Sequence, residues 1–407
     1  MKTKLQLLAG CVIAALAAVF AQGPLTPPGA PAPTMKTLDQ VAPRTAISSL
    51  PFSISASGSY YLTANLSTNS GSGITITADN VTVDLNGFAL AGAPGSVNGV
   101  FVSGTHNNIV IENGVVSGWG TAGLSMNSAR NSCVRNVQMF GNGTAGISLG
   151  SYGRVEGCTS SGNGTTGVFA GFGSVVTRCT AAANGGTGFV VNDGSTVINC
   201  TATDNTLLGI DAYGVNSVSG ALIQGCAVHG NDGGGIAAGA GGGVINCTVV
   251  DSTGSTGIFG AAGAYISGCI VRTSGSIGID VTTLATVASC TVTFSTTDGI
   301  RAASDCLILQ NQCISNGNSG DGAGVHANGS RNRIEGNNVR GNDRGIDIDG
   351  TTNLVIRNTA SANTTNYDVV ANNKVGPTVL APNSAAFTGD TGGSGVGSTD
   401  AWANFSY

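Results

Sequence analysis

Between Gly146 and Gly345 the chain repeats itself. A glycine followed by an apolar residue recurs at Gly146-Ile147, Gly167-Val168, Gly188-Phe189, Gly209-Ile210, Gly235-Ile236, Gly257-Ile258, Gly278-Ile279, Gly299-Ile300, Gly324-Val325 and Gly345-Ile346. The usual interval is 21 residues, stretched at a few places, and weaker copies at Gly73, Gly99 and Gly123 extend the array. A second column keeps step: Cys158, Cys179, Cys200, Cys226, Cys247, Cys269, Cys290 and Cys313, preceded by Val137 and followed by Asn337 and Asn358. Five residues beyond it come Asn163, Asn184, Asn205 and Asn231, then Ser252, Ser274 and Ser295, then Asn318. A fixed period of this length means that each copy is one structural unit stacked on the next.

Composition says which unit. Glycine supplies 65 of 407 residues, charged residues 9% and aromatics 5%, while 41% is hydrophobic. A helical bundle needs more Glu, Lys, Leu and Ala, and a disordered chain cannot carry this much apolar material. After each glycine, positions +1 and +3 are apolar or small (Ile279/Val281, Ile300/Ala302, Ile346/Ile348), while +2 varies. That is strand alternation. Three short strands per 21 residues, with irregular insertions, predict an all-β, single-domain right-handed parallel β-helix of about 13 coils. The glycine is expected to supply a turn with positive φ, and the Asn/Ser column to satisfy turn backbone groups from coil to coil.

The rest of the chain divides around the array. Residues 1–21 (Lys2, Lys4, an apolar run, then Val19-Phe20-Ala21) read as a signal peptide. The run is short for a bilayer span, and too little apolar sequence precedes Cys11 for the lipoprotein box that Leu8–Cys11 resembles. The protein is therefore expected to be exported, to the periplasm or the cell exterior. Residues 22–34 are a Pro-rich linker, 35–62 an N-terminal cap, 63–375 the β-helix and 376–407 a C-terminal extension or cap over the open end. A formal charge of −5, with no basic stripe, argues against nucleic acid as a partner.

Ten of eleven cysteines survive removal of the signal segment. No C-x-x-C pair and no His cluster marks a zinc site. Stacked in-register residues stand about 4.8 Å apart, longer than a disulfide prefers. Buried free thiols are the expectation.

Asn80-Val81-Thr82-Val83-Asp84-Leu85-Asn86-Gly87 and the stretch from Asn332 to Ile346 resemble the first-coil and standard-coil segments of exported bacterial repeat proteins in the pectin-lyase-like superfamily. The resemblance covers about residues 45–375 and implies the fold. It leaves function open, because the superfamily holds lyases, hydrolases, epimerases and adhesins. No adjacent Asp-Asp, Gly-His-Gly or Asp-Pro-His-Asp is present, so none of the catalytic sets that the resemblance implies carries over. Periodicity does place Asp280, Arg301, His326 and Asp347 at one outward position on four successive coils, with Asp349 beside them. Such a stripe could bind a cation or an acidic sugar or perform β-elimination; a solvated charge ladder is the blander reading. Phe169, Phe172, Tyr152 and Tyr213 are outward aromatics. An outward Thr column (Thr159, Thr180, Thr201, Thr248, Thr291) suits any exposed strand. A non-catalytic cell-surface, matrix or glycan-contact role is expected, with a divergent polysaccharide lyase, hydrolase or epimerase as the alternative. No cofactor is expected, calcium being the cation such a stripe would admit.

Overall fold

The computed structural model describes residues 43–213, 220–317, 320–381 and 398–407. The signal segment, the Pro-rich linker and the start of the N-terminal cap, together with Asn318, lie outside the described residues. Every described strand pair is parallel and links one coil to the next. A coil contributes three strands, as in Ile147–Leu149, Arg154–Glu156 and Thr159–Ser161. The first strands of all coils form a fifteen-stranded sheet from Phe52–Ile54 to Thr365–Val369, and the second and third strands run together in a larger sheet.

The structure is thus an all-β parallel solenoid with a period of about 21 residues, but it has fifteen coils in place of the expected 13. The two extra rungs lie at the ends, where Pro51 and Asn366 take the glycine position ahead of Phe52 and Tyr367, so the glycine column does not reveal them. At about 4.8 Å per rung the stack is roughly 70 Å long. Within the span read as an N-terminal cap, Thr45–Ile47 and Gly58–Leu62 pair with each other and Phe52–Ile54 pairs with Ile74–Ile76. Within the C-terminal extension, Asn404–Ser406 pairs on one side with Thr359–Ser361 and on the other with Thr378–Leu380.

The core is one continuous column of mainly aliphatic side chains from Ile47 to Ala360, with the cysteines and a few aromatics such as Trp119 and Phe189 among them. Its thinness explains the glycines. The column residues have ordinary negative φ, which corrects the expectation of a positive-φ turn. They are glycine because coils approach closely: a Cβ at Gly167 would lie 2.6 Å from the carbonyl oxygen of Gly188, and one at Gly278 2.6 Å from that of Gly299. The left-handed positions fall elsewhere, on the residue before each ladder position. Gly157, Arg178, Asn199 and Gly225 occupy it before the cysteines, and Gly162, Ala183, Asp204 and Gly230 before the asparagines.

Three side-chain ladders close the turns. In the first, the amide of Asn163 donates to Asn184 Oδ1 through both its backbone N and its Nδ2 (3.1 and 2.9 Å), and Asn184 repeats this with Asn205. Ser252, Ser274 and Ser295 interrupt it, and their buried hydroxyls lack partners. It resumes at Asn316, which accepts from the backbone N of Ser295 at 3.0 Å; Asn316, not Asn318, holds this position. The second ladder is the cysteine column, in which the backbone N of Cys158 lies 3.4 Å from Cys179 Sγ. Here Cys313 is corrected: Asn311 follows Cys290 and accepts from its backbone N at 2.9 Å, while Cys313 pairs in register with Val292 and Val339. The stretched interval lies after this turn, not before it, so the rung belongs two residues earlier. The third ladder, not anticipated, includes Ser174, Ser195, Cys306, Asn332 and Asn353.

Candidate functional site

The fifteen-stranded sheet turns one residue of each three-residue strand outward. Register along this row runs Phe169, Val190, Asp211, Ala237, Phe259, Asp280, Arg301, His326, Asp347, Asp368. The four stripe residues are therefore neighbours on successive rungs, and Asp349 lies one residue past the end of the Arg344–Ile348 strand.

Arg301 forks onto Asp280, its Nε 3.0 Å from Oδ1 and its second nitrogen 2.7 Å from Oδ2. His326 is closed between two carboxylates, Nδ1 at 3.0 Å from Asp298 and Nε2 at 3.1 Å from Asp349. Burial works against its charged form, but the hydrogen bond and charge of Asp298, with Asp349 and Asp347, override it and lift its pKa to about 9. His326 is an imidazolium at neutral pH. Arg344 bonds Asp347 at 2.7 Å and lies 2.9 Å from Asp321 and 3.4 Å from Asp368. Asp347 is only 2% exposed, and that burial raises its pKa, against the pull of Arg344 and His326. Asp298 is also buried and accepts the backbone N of Ala323. A simple solvated ladder would leave these two carboxylates in water, so the stripe is a partly enclosed network.

Asp298, Asp321, Arg301 and His326 line a cleft of about 370 Å³ with Ser276 and Thr297. A second cleft, of about 510 Å³, is uncharged and lies at Phe169, with Ser148, Thr144 and Thr165. Tyr213 packs on Phe259 with ring centroids 5.9 Å apart, while Tyr152 and Phe172 are exposed on adjoining turns. The Thr column is in register as read, interrupted by Ala227 and Ile270.

Ligand atoms of His326, Asp347 and Asp349 lie within 4.8 Å of one another. The set suits a cation poorly. A metal ligand must be neutral imidazole, and His326 as an imidazolium donates one N–H to Asp298 and the other to Asp349, while Asp347 is held by Arg344.

Asp298, Arg344, Asp321 and Asp368 were not anticipated. Asp298, Asp321 and Arg344 occupy positions near the glycine column that have no fixed identity. Asp368 sits one period after Asp347, where Asn366 hides the rung.

Stacked three-strand coils with polar and aromatic side chains along one outward row define a β-solenoid with a sheet-borne surface site. The chain belongs to the right-handed β-helix family: the sequence model for the right-handed β-helix region matches residues 64–219 and 214–365. Among curated proteins none matches. Among solved structures it is similar to the A-module of mannuronan C-5 epimerase AlgE4 from Azotobacter vinelandii (16% identity, 78% of this chain and 91% of that one, TM-score 0.39). It is also similar to the catalytic domain of a GH87 α-1,3-glucanase variant in complex with tetrasaccharides (14%, 80% and 70%, 0.40) and to a tailspike protein variant of E. coli bacteriophage HK620 (13%, 79% and 65%, 0.38). No described helix is long and apolar enough to cross a membrane.

Proposed function

We propose that this protein is exported and contacts an extended glycan, at a cell surface or in a matrix, through the outward row of the fifteen-stranded sheet, without altering it chemically. The amino-terminal segment supports export. The observation that carries the rest is the closed charge network beside Phe259. Arg301, His326 and Arg344 are fixed by carboxylates, which presents hydroxyl groups with preset donors and acceptors. The Phe259 ring, one rung from Asp280, offers an apolar face for sugar C–H groups. The same network argues against His326 as a general base, which must be unprotonated near the working pH.

One observation favours the alternative. Burial raises the pKa of Asp347, which is what a general acid in a polysaccharide lyase, hydrolase or epimerase would need. Incubating the protein with a panel of neutral and uronic-acid polysaccharides, with and without calcium, separates the readings. The expected result is retention of at least one polymer, unchanged in chain length, with about tenfold weaker retention by Arg301→Ala, the loss expected for one charged hydrogen bond. Unsaturated products or new reducing ends would establish the enzymatic reading. Retention of none would remove glycan contact.

A further inference from the structure

The feature that this surface reading leaves unused is inside the helix. Cys158, Cys179, Cys200, Cys226, Cys247, Cys269 and Cys290 are stacked on successive coils with at most 2% exposure, each coil hydrogen-bonded to the next from the cysteine carbonyl, as in Thr180 N to Cys158 O at 2.9 Å and Gln312 N to Cys290 O at 2.8 Å. They are free thiols. Asparagine performs the same turn-closing task at Asn311, Asn337 and Asn358 with shorter bonds of 2.9 Å, against 3.4 to 3.5 Å to sulfur. Turn closure alone therefore does not call for sulfur.

We propose that this column is a linear site for soft univalent metal ions of the copper(I) or silver(I) class. Thiolate is the side-chain ligand that selects such ions. A bond of the order of the zinc–thiolate length, about 2.3 Å, taken on both sides of an ion, spans about 4.6 Å, close to the rung spacing of about 4.8 Å. Each thiol has ladder neighbours only above and below, so the column offers two-coordinate positions and excludes the tetrahedral sulfur set that zinc requires. Charge balances as well. Each ion entering between two sulfurs displaces one thiol proton to solvent; with a thiolate shared between successive ions, the seven sulfurs hold up to about six ions, one proton remains, and the interior gains no net charge. One divalent ion in every gap would bring more charge than seven thiol protons can offset and leave the excess in the core, which is costly.

The test is an anaerobic titration of the reduced full chain with silver(I), and separately with copper(I) held by a competing chelator, applied both to the folded protein and during refolding. Uptake is read by native mass spectrometry and by ultraviolet sulfur-to-metal charge-transfer absorbance. The expected capacity is about six ions with one proton released per ion. Cys226→Ser divides the column into two runs of three thiols and should lower capacity to about four, while Cys313→Val, off the column, should leave it unchanged. Far-ultraviolet circular dichroism confirms that each variant is folded; should Cys226→Ser not fold, Cys226→Ala serves. Uptake of no more ions than the off-column thiols could hold, or equal capacity in wild type and the Cys226 variant, would overturn the proposal. Neither result bears on glycan retention.

Discussion

At the scale of single residues, two environments decide behaviour. His326 has a folded-state pKa of about 9 against an ordinary value near 6.5. Its interactions with Asp298, Asp349 and Asp347 stabilise the fold fully below about pH 6.5, and the contribution is lost as pH rises through 9. His326→Gln should therefore cost on the order of 2 kcal/mol in urea unfolding at pH 6 and close to nothing at pH 10; an equal cost at both pH values would contradict the assignment. The second environment is backbone. Ala183 holds φ at 51°, a region that costs an L-residue roughly 1–2 kcal/mol and glycine little, although glycine loses more freedom on folding. Ala183→Gly is expected to raise stability by about 0.5 kcal/mol, measured by the denaturant midpoint. Residues of this kind are where the sequence was least legible. Asp298 and Arg344 complete the charge network from positions without a repeating identity, and Cys313 drew the eye by type when its position belongs two residues later than the turn. In a solenoid, place along the coil decides a residue's task, so Asn311 replaces cysteine and remains invisible to a search for sulfur.

At the scale of the strand and turn, one period equals one rung, and the period was therefore readable. The alternation of Ile279-Asp280-Val281 translated directly into which side chain faces water, and register followed from the glycine column everywhere except the two end rungs, where Pro51 and Asn366 stand in its place. What glycine does there was not readable, because a residue lacking Cβ serves a positive-φ turn and a close backbone approach equally. Gly278→Ala would press a methyl group against Val292 and the carbonyl of Gly299. The expected loss is about 2 kcal/mol, within the range for overpacked interiors, and a loss near zero would mean the coils can separate locally. The returning C-terminal strand is a distinct element. Asn404 accepts from the backbone N of Asn358 at 3.0 Å and so extends the ladder that begins with the cysteine column beyond the last regular coil, and Trp402 lies under the guanidinium of Arg357 at 4.1 Å. Ending the chain at residue 397 would bare Thr359–Ser361 and Thr378–Leu380 as pairing edges. Light scattering should then show concentration-dependent self-association that the full chain lacks; a monodisperse truncated chain would show that the strand does not guard the edge.

At the scale of the whole molecule, each coil is too thin to bury its own apolar residues, and stability comes from neighbours, as in other stacked repeats. That arrangement also creates the two long features of the protein. The outward row aligns Phe259, Asp280, Arg301, His326 and Asp347 because their strands are consecutive rungs, and the interior column aligns seven sulfurs for the same reason. The sulfur column depends on stacking through the longer interval that follows Gly209, and the outward row on stacking through the one that follows Gly299. The most direct test of that stacking is the distance between spin labels attached through Ser125→Cys and Phe259→Cys in a Cys133→Ser background. These positions lie in one outward row, six rungs apart. Electron–electron resonance should give a single narrow distance near 30 Å, set by rungs of about 4.8 Å; a broad distribution, or one centred beyond about 45 Å, would contradict a continuous stack.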